Sequence, residues 1–584
     1  MDLTDRFFQF ITRFNKPVST HTFSAFRIFF SIHILIIIAN FYQLHPLVFD
    51  SVPDIGRNSF PAKLFIVLWT IAVGMLLVGF YTRIAAILNY VFVVLATILF
   101  INASVGSFND DLLRIGSLLC IFMPVSRSFS CDALIDKLTN IIPRKPQTQQ
   151  LNYILFLFLS LGLMYTASAF TKLVSPMWLK GLGLWIPLNI PHNKWNALPN
   201  LIINQEGLMM VVNYLVIIWE LVFLFLLFKP RYHGWIIVPG ILFHLGIAVF
   251  FPFPLICTGP LAFYLLFLND QFWNAISKRL KSRVQSELIY SRSDIGSIRL
   301  ARLMLAFDFR ERYAVKWIDG RAQESSFNTT CNALHAYWLY RPLLFIIQLK
   351  PVRLILRSVF RLYFSGAWVQ SGNGLLNYAF HKTLLVYFTL FCLTMQLGVS
   401  TYHVYHRIKH RVFNEDNRKA HDMHGNFDIS TKPGMLVRIF LGINGRGLFL
   451  DHDSKGLKTT YALTRFDDKG NEYWMPMMSE RGYVGSDLNM NLVWAKTTFQ
   501  LIAFGTQPAD SIGLKKLTRF WALKQKTPLD SLHFKVYKKT YTYPTAFEKD
   551  YYLKLESLPW LEEGEIWWQN GKFSYQSAQI GTKH

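Results

Sequence analysis

Apolar runs of membrane-crossing length recur along the first half of the chain, separated by short polar loops. A helix needs about 20 apolar residues to cross a hydrocarbon core with its backbone groups bonded internally. The pattern predicts spans near 25–43, 62–80, 84–103, 110–126, 150–171, 208–228, 235–251 and 255–269, with a ninth near 380–401. Between the eighth and ninth the units shorten. Leu288–Ser291 reads as a strand, 297–307 as a helix and Tyr313–Trp317 as a second strand. Beyond the ninth, runs rich in Tyr, Thr, Trp and Phe lie between turn signals such as Asp467-Asp468-Lys469-Gly470 and Gln569-Asn570-Gly571. Thr459–Phe466 alternates in the manner of a half-buried strand. The expected fold is an α-helical polytopic membrane protein of about 8 + 1 transmembrane helices. It carries a small α/β cytoplasmic segment and a β-rich exported C-terminal domain. The corresponding boundaries are 1–270, 283–366, 378–403 and 404–584.

Composition agrees with this layout. The 584 residues are 52% hydrophobic, with a mean hydropathy of +0.26, too apolar for an ordinary soluble enzyme. The net charge of +24 raises the question of nucleic acid, but its placement answers it. Lys and Arg cluster in short loops: Arg127, Lys137, Arg144 and Lys145; Lys229 and Arg231; Lys278, Arg279, Lys281 and Arg283. These loops share one side if the N-terminus is cytoplasmic, which is the positive-inside pattern. Charge therefore reports orientation in a lipid bilayer and excludes a nucleic-acid partner. The expected location is a bacterial inner membrane, with the loop after Lys172 and the C-terminal domain outside. Residues 1–20 lack a cleavable signal. Phe7, Phe8, Phe10, Ile11 and Phe14 among Arg6, Arg13 and Lys16 suggest an amphipathic helix on the inner face. Lys350, Arg353, Arg357 and Arg361 recur at helical spacing and suggest a second one. The five cysteines, Cys120, Cys131, Cys257, Cys331 and Cys392, show no pairing pattern, and none falls in the exported domain.

Several ionisable residues fall in or beside apolar runs. Lys172 ends one of them, and a charge at membrane depth is costly enough to mark a functional site. A lysine in low dielectric loses its proton readily and can serve as a base. The alternative is a lysine that snorkels to the headgroups. Glu220 sits inside an apolar run and needs a partner, for which Lys172 and Arg83 are the candidates. Arg114 lies three and four residues after Asp111 and Asp110, the spacing of a helical ion pair. His244 on an apolar helix is either a satisfied core group or a functional one; His33 reads as structural. His403, His406 and His410 share one helical face, where a solvated juxtamembrane segment competes with a metal site. The tryptophans at 474, 494, 521, 560, 567 and 568 fit core packing better than a binding face.

The stretch Tyr165-Thr-Ala-Ser-Ala-Phe-Thr-Lys172-Leu173, followed by Trp178 and Gly181, resembles the HTTM family, which includes the vitamin K-dependent gamma-glutamyl carboxylase. The resemblance covers roughly the first 270 residues. It also rests on Phe26-Arg27-Ile28, Gly79-Phe80-Tyr81-Thr82-Arg83, Asp110-Asp111, Pro124, Ser130-Cys131-Asp132, Trp219-Glu220-Leu221 and Phe243-His244-Leu245. It implies Lys172 as catalytic base, with His244, Glu220 and Asp111 as further site residues. Asp111 departs from the carboxylase pattern, which has histidine there. The implied cosubstrate is a reduced naphthoquinone whose oxidation yields a base able to deprotonate a glutamate side chain, giving a gamma-glutamyl carboxylase-like lyase. Residues 283–366 resemble a degenerate DCC segment, a thioredoxin-like family. Asp294 and Ser297 stand where its thiols are expected, which implies no dithiol exchange. The alternative is a non-enzymatic membrane scaffold that assists export or maturation of a partner protein or peptide.

Overall fold

A computed structural model describes residues 17–49, 61–99, 108–139, 149–150, nearly all of 161–280, 286–291, 313–318, short stretches between 301 and 442, most of 459–484, and 508–578. The first part is helical: α1 Thr20–Phe49, α2 Ala62–Val78, α3 Thr82–Leu99, α4 Phe108–Phe122 and α5 Cys131–Thr139. A helix ending at Leu173 follows, and then α6 Glu206–Leu227, α7 His233–Phe250, α8 Pro254–Tyr264 and α9 Asp270–Leu280. Among the described residues, three helices are long and apolar enough to cross a membrane: Thr20–Gln43 within α1, then α6 and α7. Ala62–Val78, Thr82–Ile98 and Cys257–Phe267 are apolar but shorter. Helix α4, expected as a span over 110–126, has 15 residues. That is about 22 Å of helix, short of a bilayer core. The expected spans at 150–171 and 380–401 are described only in part, and the amphipathic stretches at 1–16 and 350–361 lie outside the described residues.

The helices divide their apolar residues between two uses. On α6, Asn213, Val216, Ile217, Glu220, Phe223 and Leu227 form the buried stripe, at the three-four spacing of one helical face. Val211, Leu215, Ile218 and Phe225 on the other face are exposed. Helix α7 repeats this with Trp235, Val238, Leu242 and Leu245, and α3 with Ile84, Ile87, Val91 and Leu95. An apolar surface this continuous, outside a packed core, suits hydrocarbon rather than water. The inward faces of α1 to α4, α6 and α8 share one core, in which Phe23, Phe26, Phe30, Trp69 and Phe263 are almost fully buried.

One end of the bundle is closed around the start of α1. The Ser19 amide donates to Asp270 at 2.6 Å, Thr22 donates to the Leu268 carbonyl at 2.9 Å, and His21 stacks on Trp273. Arg27 is completely buried and donates to the carbonyls of Leu76 and Phe129. Leu76 belongs to the last turn of α2, where unsatisfied carbonyls favour a cation. The chain turns there through Gly79 at φ +70°, and a Cβ would sit 2.0 Å from an Arg27 nitrogen, so only glycine fits. Asp132 accepts from the Tyr81 and Thr82 amides, capping α3 from a different element.

Strands β1 Ser286–Ser291 and β2 Tyr313–Ile318 pair in parallel, with helical residues Ala301, Arg302 and Leu305 between them. A parallel pair requires such a crossover, so the expected strand–helix–strand unit is present. The C-terminal part contains β3 Thr459–Phe466, β4 Glu472–Trp474, α10 Pro508–Gln525, β5 His533–Thr540, α11 Tyr551–Ser557, β6 Leu561–Gln569 and β7 Lys572–Ser577. The sheet runs β4-β3-β5-β6-β7 and is antiparallel throughout. Leu514, Leu517 and Phe520 of α10 share a core with Leu463, Phe534, Val536, Ile566 and Trp568. This helix is absent from the sequence-based expectation, which saw only strands. The hairpin between β6 and β7 turns at Asn570 and Gly571, both at positive φ, as a two-residue turn of this type demands.

Asp132→Ala removes the cap of α3 and is expected to cost about 1 kcal/mol. The check is the melting temperature of the purified protein, which should fall without loss of helical signal.

Candidate functional site

Tyr165, Ser168 and Lys172 lie three and four residues apart on one face of the helix that ends at Leu173. That face meets the buried stripe of α6. Lys172 Nζ donates to Ser168 Oγ at 2.9 Å and to Glu220 Oε1, and Ser168 Oγ also reaches Glu220 at 3.4 Å. Lys172 and Glu220 are 2% and 3% exposed at the side chain, so this is an ion pair out of contact with solvent. The ammonium lies 4.8 Å from the centre of the Trp178 ring. Its donors therefore face a hydroxyl, a carboxylate and an aromatic face. Glu220 Oε2 is buried and has no hydrogen-bond partner among the described residues.

Helix α7 supplies the third side. Tyr165 Oη and His244 Nε2 are hydrogen-bonded at 2.9 Å. The Tyr165 ring packs against Trp219 and Phe223, with ring centres 4.9 and 4.7 Å away. Gly240 lets α7 lie close to α6 and α8, because a Cβ there would lie 2.2 Å from Tyr264 Oη and 2.9 Å from Trp219. Three of the four expected site residues, Lys172, Glu220 and His244, thus converge on one buried polar cluster.

The loop after Lys172 is built to hold Trp178. Ser175 caps its short helix, Asn213 of α6 donates to the Trp178 carbonyl at 3.0 Å, and the Gly183 amide donates back to Asn213 at 2.9 Å. A Cβ on Gly183 would meet the Trp178 ring at 2.2 Å. The snorkelling alternative for Lys172 fails on this geometry, since its ammonium is buried and committed inward. Arg83, the other candidate partner for Glu220, is exposed.

The fourth expected residue is placed differently. Asp111 pairs with Arg114 on its own helix, both buried, at the i,i+3 spacing expected of a helical ion pair. Arg114 also donates to Thr97 at 3.3 Å. Asp111 therefore belongs to a second ion pair and not to the Lys172 cluster. His33 bonds with Thr258 at 2.8 Å. Among the described residues there is no group of three or more metal-type ligands; His403, His406 and His410 lie outside them. Tyr165 and Ser168 escaped the sequence reading as site residues. Their spacing to Lys172 was the available signal, but a Tyr and a Ser on an apolar helix do not by themselves announce a polar cluster.

Comparison with family models, with curated proteins and with solved structures found no match.

Removing one partner of a buried ion pair leaves an uncompensated charge, at a cost of about 3–5 kcal/mol. Glu220→Gln should therefore sharply reduce the amount and melting temperature of folded protein. Adding Lys172→Met should recover much of the loss, because no buried charge then remains. Expression level and thermal stability in detergent measure both.

Proposed function

We propose that the chain is an integral membrane enzyme of the HTTM type, with the Lys172–Glu220 pair as its acid–base centre and a reduced naphthoquinone as cosubstrate. The observation that carries this reading is a buried lysine, carboxylate, tyrosine and histidine brought together from three apolar helices. A structural role alone needs one neutralised pair, whereas this cluster also holds a buried carboxylate oxygen without a partner among the described residues. Such an orphan acceptor fits a ligand hydroxyl. The rings of Tyr165, Trp178 and Trp219 make its surroundings aromatic, the kind of lining that suits a planar aromatic ligand.

Lys172 accepts a proton only as the free amine. Transfer of the shared proton from Nζ to Glu220 generates that amine without separating charge, and Ser168 keeps its orientation. Tyr165 and His244 form a second hydrogen-bonded pair next to Glu220, placed to move a proton onward. When bound, the reduced quinone would give up two electrons to an oxidant such as dioxygen, and the reduced oxygen species so formed would serve as the strong base for carbon deprotonation. The product class on this reading is a gamma-carboxylated glutamate, formed by a lyase-type addition of carbon dioxide. The shorter apolar helices of the first 270 residues and the apolar stretch near 380–401 would complete the arrangement, in a bacterial inner membrane. The 283–366 segment acts as a redox-inactive, DCC-like docking unit.

A second reading has its own support. Lys172 already has a full set of partners in Ser168, Glu220 and Trp178, as a purely structural pair would. On that view the protein is a scaffold for export or maturation of a partner protein or peptide, presented by the C-terminal domain.

Lys172→Arg separates the two. Arginine keeps the charge but does not release its proton near neutral pH. The enzyme reading predicts loss of the deletion-strain phenotype rescue at near-normal protein level; full rescue favours the scaffold. Orientation is tested by thiol labelling from outside: Leu201→Cys should react and Lys278→Cys should not.

A further inference from the structure

The C-terminal domain does not stand apart from the bundle. Its residues Tyr541, Tyr551 and Leu555 belong to the same hydrophobic cluster as Met177, Trp178 and Trp185 of the loop after Lys172. Trp185 packs against both Phe547 and Tyr551, with ring centres 5.1 and 5.6 Å away. Asn204 and Asp550 exchange two hydrogen bonds, of 2.6 and 2.8 Å. The Val484 amide donates to the Lys194 carbonyl at 2.7 Å.

At the centre of this contact is Lys194, 2% exposed, from the loop side. Its ammonium bonds Glu556 at 3.2 Å and lies over the rings of Tyr552 and Tyr483, at 4.2 and 5.0 Å. Tyr483 Oη also donates to Glu556 at 2.6 Å. Two aromatic faces and a carboxylate are the elements of a cation-binding cage. Here the cage belongs to the C-terminal domain and its occupant to the membrane domain. Burial pushes the Lys194 ammonium below the ordinary lysine range, and Glu556 opposes that shift. The cation is thus held in the cage at a cost that Glu556 offsets.

We infer that the C-terminal domain is a cap on the Lys172 site, latched through Lys194 in the Tyr483–Tyr552–Glu556 cage. The latch goes beyond the acid–base reading, since it controls access to the site whatever chemistry occurs there. The line of contact runs from Lys172 to Trp178, through the cluster to Trp185, and on to Tyr551. Releasing the latch uncovers the loop that carries Trp178 and opens the outer approach to the ion pair.

The test uses the full-length protein in detergent, with Met177→Cys as a reporter inside the contact. The rate of maleimide labelling is read as the increment over the protein without the reporter. Glu556→Gln leaves the caged ammonium without a counter-charge and should raise the labelling rate at least tenfold. Adding Lys194→Met removes that charge and should return the rate to within about threefold of the latched protein, because a buried pair replaced by neutral groups is tolerated. An unchanged rate in Glu556→Gln overturns the latch. Equally fast labelling in single and double variants also overturns it, since loosened packing rather than the cation would then be responsible. Helical signal and elution volume, unchanged in both variants, distinguish undocking from unfolding.

Discussion

An ammonium buried among apolar helices has to be neutralised where it stands, and the helices and loop around Lys172 are arranged to do so. Glu220 is the only carboxylate described against Lys172, and it sits in the middle of the buried stripe of α6. Holding it there fixes the rotation of α6, which in turn decides which apolar residues face outward. Ser168 and Trp178 complete the environment of the ammonium, and Asn213, two turns before Glu220 on the same stripe, locks the Trp178 loop. One electrostatic constraint thus couples the rotation of a helix, the shape of a loop and the position of two tyrosine–histidine partners.

Other buried charges follow the same rule by different means. Arg114 is matched within its own helix by Asp111. Arg27 is matched by carbonyls at the end of α2 and the turn at Phe129. Lys194 is matched by Glu556 across a domain boundary. The first is local in sequence and the others are not. That difference decides what a sequence can reveal.

Helix periodicity made three of the apolar spans and the Asp111–Arg114 pair legible, because each depends on residues within a few turns. The strand Thr459–Phe466 and the Asn570-Gly571 turn were legible for the same reason. Glu220 advertised its need for a partner, and Lys172 was one of two named. The convergence of Tyr165 with His244 was not visible, since it depends on how two helices far apart in sequence pack together. Helix α10 was missed because its apolar positions, Leu514, Leu517 and Phe520, are interleaved with Lys and Arg in a region rich in strand signals. The docking of the C-terminal domain was illegible altogether. It joins residues some 350 positions apart, and neither Lys194 nor Glu556 stands out in its own neighbourhood.

On the proposed function, the Lys172–Glu220 cluster holds a reduced naphthoquinone. The most direct measurement is extraction and mass analysis of quinone carried by the purified protein, beside a titration with a soluble naphthoquinol followed by quenching of tryptophan fluorescence. Stoichiometric, saturable binding is expected, and it should be lost in Glu220→Gln/Lys172→Met and Glu220→Gln/Lys172→Gln, both still folded because no buried charge remains. Binding of equal strength in those variants, or no saturable binding by the intact protein, would contradict it.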